Sequence, residues 1–556
     1  MEKKSKEKLR VQKFKYYTIT AGIIIFFLVF QLISNLTYLL LEQGSTDIKH
    51  KNIPVQKYFQ EVKALEDNRT TEEKAEYRIF GDEDDAGVLM LCGELNNLNF
   101  TYEVSENVTF KEGKTEAIFL NKNNYSQEEQ DSIDRYIEEG THVIWSRLPS
   151  AKILQSEWGR KQLGILEDKG KKNYKGIRII SNFLASDLLE FENIEIELED
   201  VSLVQGSKVF AYSLKGYKAD ETLGKNETLP PLIWRHMMGD SEIFVVNSNL
   251  MSTKVAPGIC VSILAKIKGS MIYPVINGNC IFFMNYPYTD NFKSEELDKR
   301  YSRDAMGVER DLLFPGISNL CSKYNVIPTY YTEDYEAFKQ NNNDSTLDYF
   351  KKQIVREGTA LGKVLNGDCV YFDEQKPDTS IPTALKEWGS SFTFVDAQKE
   401  RLNIPVVKEQ PKLTHTDIIT ICSAVTSLGF VSTRVNMENV LHPQDDSDDW
   451  VKYYDDMNTT TGIVQNMYPY VDPLNVVDAT NRILVFRNLQ PQITYKTNED
   501  KKSGQIIVEP KSFSGVAYYI LRLEVPFKSI EGGTAEQIID NTYLIEETAN
   551  KLIIEY

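Results

Sequence analysis

Tyr17 to Leu41 carries no charged side chain, and that run limits the topologies open to the chain. It contains Ile23-Ile-Ile-Phe-Phe-Leu-Val-Phe30, then Leu32-Ile33 and Leu39-Leu-Leu41. About 20 mostly apolar residues suffice for a helix to cross the hydrocarbon core of a bilayer. A secretory signal has a shorter apolar core and ends at a small-x-small cleavage site. Glu42-Gln-Gly-Ser-Thr-Asp47 offers no such site, so the run reads as an uncleaved anchor, a cleaved signal being the alternative. Residues 1–15 hold seven Lys/Arg against Glu2 and Glu7, a net of +5 within a total of −18, so the remainder carries −23. Basic flanks stay in the cytoplasm. The expectation is a single-pass cell-membrane protein: a cytoplasmic basic leader at 1–16, an anchor at 17–41, and an extracytoplasmic bulk after about residue 45.

A chain of 556 residues exceeds one hydrophobic core and predicts two to four domains, roughly. The acidic balance excludes a nucleic-acid partner, which needs a basic footprint. The six cysteines include no Cys-x-x-Cys pair, so zinc ribbons and thioredoxin-type chemistry are excluded and buried thiols are expected. Cys92, Cys280 and Cys369 lie in strand-like runs, and Cys321 and Cys422 on apolar helix faces.

Residues 42–83 are polar and read as a stalk, with a short helix at 61–75. Alternating elements follow. Val88 to Cys92, Ala117 to Leu120, His142 to Ser146, Lys208 to Tyr212, Leu232 to Trp234 and Glu242 to Asn247 read as strands. Ser126-Gln-Glu-Glu129 is a capping box opening a helix that Gly140 ends. This order predicts a doubly wound open sheet over 84–268. The wording at 133–146 and at Pro231-Leu-Ile-Trp…Gly239-Asp-Ser-Glu-Ile-Phe-Val-Val-Asn247 resembles the non-catalytic glutamine-amidotransferase-like domains of cell-surface carbohydrate proteins. Active members expose a cysteine on a Gly-flanked strand-to-helix turn. No Gly-x-Cys-x-Gly exists here, so a binding or spacer domain is expected.

Tyr273 to Phe292 then reads Tyr-Pro-Val-Ile-Asn-Gly-Asn-Cys-Ile-Phe-Phe-Met-Asn-Tyr-Pro-Tyr-Thr-Asp-Asn-Phe. The apolar run Ile281 to Met284 between turn formers predicts a buried strand. Leu313, Ile317, Leu320, Cys321 and Tyr324 share a helical face before the strand 326–331. Leu347, Phe350, Ile354 and Val355 mark a helix, Cys369 to Phe372 a strand, and Asp417 to Leu428 a helix closed by Gly429, with Thr416 or Asp417 as its cap. The strand, then the helix ending Lys323-Tyr-Asn-Val-Ile-Pro-Thr329, then the next strand resemble polysaccharide deacetylases of the carbohydrate-esterase type. The Tyr-Pro-Val-Ile-Asn entry and Asn-Tyr-Pro exit resemble more closely a family of membrane-attached, deacetylase-like bacterial proteins of uncertain function, some accompanying Pel-like exopolysaccharide systems. The resemblance implies an α/β chain with an amidotransferase-like domain and a distorted β/α barrel over 269–490. Beyond it, hairpin patterns predict an antiparallel β module at 491–556.

The deacetylase reaction uses a divalent metal on one aspartate and two histidines, with a second aspartate as base. The five histidines, His50, His142, His236, His415 and His442, include no pair four apart. Aligned on Pro287, Met284 and Asn285 stand at the acidic positions; in a later register only Asp290 survives and Tyr288 replaces the base. Methionine is a poor ligand for a hard cation and an amide is no general base. The resemblance therefore implies a site without catalytic residues, without cofactor, and with no assigned metal. His442, Asp445 and Asp446, within the acidic run ending at Asp449, are the remaining metal candidates, against a reading as helix caps. Tyr286, Tyr330 and Tyr331 are candidates for stacking on sugar.

The expected function is a membrane-anchored extracytoplasmic protein with a degenerate deacetylase-like domain, binding or guiding an exopolysaccharide during assembly or export, with synthase or export subunits as partners. Two alternatives stand: an active metal-dependent deacetylase or hydrolase with ligands such as Asp290, His415 and His442, and a purely structural envelope subunit.

Overall fold

The computed structural model describes residues 55–67, 75–214, 226–288, 292–333, 359–365, 367–373, 380–498, 503–513 and 515–556, with Phe350 and Ile354. The expected leader and anchor, residues 42–54 and 68–74 of the stalk, Asp290, and the expected helix at 347–355 apart from Phe350 and Ile354 lie outside the described residues. The short helix expected at 61–75 is a helix at Val55–Asp67, with Val55, Tyr58, Phe59 and Val62 buried, so this part of the stalk packs on the protein. Among the described residues no helix is long and apolar enough to cross a membrane.

The chain is a mixed α/β protein. Its first sheet has nine strands: β1 (Tyr77–Phe80), β2 (Tyr102–Ser105), β3 (Ala117–Leu120), β4 (His142–Trp145), β5 (Ile165–Ile179), β6 (Leu189–Leu203), β7 (Lys208–Ser213), β8 (Pro231–Met238) and β9 (Ser241–Val246). They run in the order β2-β1-β3-β4-β9-β8-β7-β5-β6. β2, β1, β3, β4 and β9 are parallel, and the rest pair antiparallel. Every residue of β1 and β3 is buried, as continuous apolar runs require when both sheet faces are covered. The helix Gln127–Glu138 opens with the Ser126/Glu129 capping box.

Val88 to Cys92 departs from expectation: it lies in the helix Ala86–Asn97. Asp85 caps that helix by accepting from the Gly87 N–H, and Val88, Leu91 and Leu95 are buried while Leu89 is 39% exposed. A five-residue apolar run fits either period; the acidic cap and burial on one face select the helix. The sheet therefore starts at β1, ahead of the expected boundary at 84.

Tyr273–Phe292 is split between two sheets. β10 (Ser270–Val275) pairs antiparallel with a C-terminal strand, Tyr273 opposite Ile520, so this part of the stretch belongs to a sheet with C-terminal strands. Asn277 takes a left-handed conformation with φ +55, and β11 (Gly278–Met284) begins the next sheet. A Cβ on Gly278 would stand 2.4 Å from Leu474 Cδ1 and 3.0 Å from the Phe430 ring. A larger residue at that strand entry would displace the Leu474 side chain.

The second sheet continues with β12 (Pro328–Thr332), β13 (Ala360–Leu365), β14 (Asp368–Tyr371), β15 (Thr383–Glu387), β16 (Val395–Asp396), β17 (Arg401–Val406), β18 (Lys408–Glu409) and β19 (Phe430–Asn436). Its order is β16-β17-β15-β14-β13-β12-β11-β19-β18. β17 pairs with β15 and β18 with β19, both parallel. Only Val407 separates β17 from β18, and its N–H donates to Ser432 Oγ at 3.0 Å. One extended segment, 401–409, thus joins the two flanks of the sheet into a ring. The helix Phe314–Tyr324 covers the ring through Ile317 and Leu320, and the helix His415–Leu428 is capped by Thr414 and closed by Gly429 at φ +58. Its start two residues earlier than expected follows from the Thr414/Asp417 capping box.

The remaining strands, β20 (Gln492–Thr497), β21 (Gly504–Glu509), β22 (Ala517–Leu523), β23 (Ser529–Glu531), β24 (Gly533–Ile539), β25 (Thr542–Glu547) and β26 (Leu552–Glu555), form two four-stranded antiparallel sheets, β10-β22-β25-β24 and β20-β21-β26-β23. The helix Ala256–Lys268 seats these parts together. Gly258 N–H donates to Ser423 Oγ, whose hydroxyl donates to Val255 C=O, both at 2.9 Å. Arg522 reaches from β22 to the Asn182 and Phe183 carbonyls.

Candidate functional site at the exit of β11

Strand exits at the carboxyl end of a parallel sheet leave side chains free to converge on a ligand. β11 ends beside β12 and β19: Met284 registers with Tyr331 and Asn436. Asn285, at φ +55, turns the chain before the cis Tyr286–Pro287 bond. Its buried amide donates to Asn436 Oδ1 at 3.1 Å and Glu438 Oε2 at 2.8 Å. The Glu438 N–H in turn donates to Asn436 Oδ1 at 3.1 Å. Asn285 is thus a hydrogen-bond donor that ties two strand exits together. With a thioether and an amide at the positions where a hard divalent cation needs carboxylate, these residues do not fit the metal that the resemblance implies.

A second group lies beside it. Tyr288 N–H donates to Glu309 Oε1 at 2.6 Å. Glu309 is fully buried and opens the π-turn Glu309–Leu313, a distortion frequent at functional sites. Its Oε2 has no hydrogen-bond partner. Burial raises the Glu309 carboxyl well above the carboxylate range, opposed by the Tyr288 N–H. The half-buried Tyr288 ring packs edge-on to Phe292 at 5.9 Å and to His442 at 6.0 Å, and the exposed His442 ring stacks on Phe292 at 4.7 Å and 7°. An aromatic face of this kind, beside amide and carboxyl groups, suits a polyhydroxylated ligand.

The other expected residues fall elsewhere. Tyr286, Tyr330 and Tyr331 are wholly buried: the first two pack under the ring's covering helices, and Tyr331 meets Phe282. They are core residues and present no stacking surface: Tyr330 and Tyr331 lie on β12, which is buried throughout, and Tyr286 packs on Tyr330 and Phe350. Asp445 accepts from Ser447 N–H at 2.6 Å, Asp448 from Gln444 N–H at 2.9 Å and Asp449 from Val451 N–H at 3.0 Å. Asp446 is fully exposed, 3.6 Å from Arg300. The acidic run thus serves as helix caps and ion pairs, not as a ligand set with His442. His415 Nδ1 contacts the Glu192 carbonyl and its ring meets Phe191, partners unlike those of His442. Among the described residues no group of three or more His, Cys, Asp or Glu is arranged to hold a metal ion.

The six cysteines are free thiols. Burial raises Cys92 to about 11, and Cys369 to about 12 against the lowering pull of Arg434; neither is a thiolate nucleophile at neutral pH. Sequence reasoning missed Phe292, Glu309, Asn436 and Glu438. Only the capping-type Asn436-Met-Glu438 turn after an apolar strand offered a local signal.

Residues 68–363, more than half of the chain, match a family model described as "Uncharacterised protein conserved in bacteria (DUF2194)". No curated protein matches in sequence. Among solved structures, the chain is similar to that of Agd3, described as a novel carbohydrate deacetylase, at 9% identity and TM-score 0.48 over 86% of this chain and 98% of the other. It is similar to α-L-fucosidase isoenzyme 2 from Paenibacillus thiaminolyticus at 10% identity and TM-score 0.28, over 36% of this chain and only 34% of that one. PurLQS from Thermotoga maritima overlaps at 11% identity and TM-score 0.24, over 34% of this chain and 98% of the other. At such low identity and overlap these likenesses assign no chemistry to this chain.

Proposed function

The chain belongs to this family of uncharacterised bacterial proteins, and from that premise we propose that it holds a polysaccharide at the exit of β11 without hydrolysing it. The observation that carries the reading is Asn285, whose amide donates to Asn436 and Glu438 where a deacetylase would place its acidic pair. The ring of strands is read as a degenerate deacetylase-type barrel, and the Tyr288/Phe292/His442 face as the platform that meets the sugar. The uncharged run 17–41 and its basic leader support a membrane anchor with the bulk outside, where exopolysaccharide is assembled or exported.

The test is tetra-N-acetylchitotetraose added to the full chain in detergent, with and without zinc or cobalt. Saturable binding without acetate release is expected. Joint Phe292→Ala and His442→Ala substitution should weaken it about tenfold, the equivalent of ~1.4 kcal/mol. Metal-stimulated acetate release overturns the proposal. One observation favours a second reading, an active hydrolase: the buried Glu309 carboxyl, raised by desolvation, has the character of a general acid. Turnover abolished by Glu309→Gln would select it.

A further inference from the structure

The first sheet has a polar cleft that the β11 site leaves without a role. Its volume is about 960 Å³, near the upper end of the ~300–1,000 Å³ typical of ligand pockets. It opens beyond the carboxyl ends of β3, β4 and β9, lined by Asn123, Ser146 and Asn249 among others, with the β5–β6 hairpin on the opposite side contributing Asn173 and Tyr174. Open α/β sheets bind ligands beyond their strand carboxyl ends.

Ser146, the first residue after β4, is the second observation. It is 2% exposed, lines the cleft, and its Oγ has no hydrogen-bond partner. A buried hydroxyl left unpaired costs ~1–3 kcal/mol, which a ligand hydroxyl or carbonyl would relieve. The charges indicate what kind of ligand. Arg147, Lys171 and Lys175 balance Glu195, Glu197 and Glu199 around the cleft. Arg147 pairs with Asp85, and Lys171 with Glu197, each at 2.8 Å. With Asp85 counted, three cations face four carboxylates, a balance that repels phosphate and is too small to hold a polycation, and Asn123, Asn173 and Asn249 add amides to the lining.

We propose that this cleft is a second saccharide site, separate from the β11 exit, which takes an uncharged stretch of glycan a few sugar rings long. It stands independently of the function assigned to the ring. Two sites on one chain would grip a polymer through effective concentration rather than through one tight contact.

The experiment is calorimetric titration of the full chain in the Phe292→Ala/His442→Ala background, in which the β11 site is weakened about tenfold, so that the Ala151→Trp comparison isolates the cleft. The probes are cellotetraose, maltotetraose and tetra-N-acetylchitotetraose, with inorganic phosphate as charged control. At least one tetrasaccharide should bind. Ala151→Trp, at an exposed residue lining the cleft, should weaken binding at least tenfold with an unchanged melting temperature, and Ser146→Ala several-fold. The proposal is overturned if no tetrasaccharide binds in that background, if Ala151→Trp binds as its parent does, or if phosphate competes equally.

Discussion

Asn285→Asp restores an acidic residue at the exit of β11 and separates a structural amide from a vestigial ligand. The wild-type amide gives hydrogen bonds to Asn436 Oδ1 and to Glu438 Oε2, the latter 2.8 Å away, from a site 4% exposed. An ionised Asp would lose both donors and face the Glu438 carboxylate. At an effective dielectric of ~20, two unit charges at that distance repel by ~6 kcal/mol. The pair escapes by taking up one proton. From a reference carboxyl pKa of ~4.3 this costs ~3.7 kcal/mol at pH 7 and ~1 kcal/mol at pH 5, and the shared proton restores one hydrogen bond. Urea unfolding of the variant should therefore show a loss of ~3–4 kcal/mol at pH 7 that shrinks to ~1 kcal/mol at pH 5. A variant as stable as wild type at pH 7, or one equally impaired at both pH values, refutes the role given to Asn285. It would mean that the Asn285–Glu438 contact does not organise the strand exits.

Two further perturbations probe the frame around this site. Glu309 has its folded-state pKa raised by burial, so its stabilising contribution is complete below the unfolded value of ~4.3 and is lost as pH rises through the folded value. Glu309→Gln should thus gain on wild type by up to ~1.4 kcal/mol per pH unit above ~4.3 until the folded pKa is passed; parallel urea-stability profiles between pH 4 and 8 would contradict this. Gly258→Ala would place a Cβ 2.6 Å from Ser423 Cα, against backbone that cannot swing away, and should cost ~1–3 kcal/mol of overpacking. Gly93→Ala, with nothing within 4 Å of its new Cβ, is the control within a helix and should be neutral or stabilising by up to ~1 kcal/mol in the same melts.

Much of the local structure was legible in the sequence because its causes are local. Ser126/Glu129 opens a helix and Gly429 closes one, since caps satisfy backbone groups within a turn. Ala117–Leu120 and Ser241–Val246 are strands because short apolar runs between turn formers have few other uses. The errors fall where two local readings were equally good, as at Val88–Cys92, or where a strand's partner lies far along the chain, as for β10 and β22. The candidate site was proposed in the sequence at the run that ends at Met284-Asn285; which side chains surround that run was not readable there. Tyr286, Tyr330 and Tyr331 read as stacking residues, but alternation along a covered strand buries both of its faces. Phe292 and His442 came together from segments some 150 residues apart in the chain, as did Asn285 and Glu438.

The sequence by itself determined the alternation of helices and strands, the absence of the acidic pair and of a spaced histidine pair, and the uncharged run at 17–41, because each is a property of residue type and spacing along one stretch. Only the tertiary structure decided that Asn285 spends its amide on Asn436 and Glu438, that burial raises the Glu309 carboxyl, that the acidic run at 445–449 consists of caps and ion pairs, and that Ser146 is left unpaired beside a polar cleft. Those facts depend on which groups burial brings within ~3 Å of one another, and on how desolvation then sets their charge.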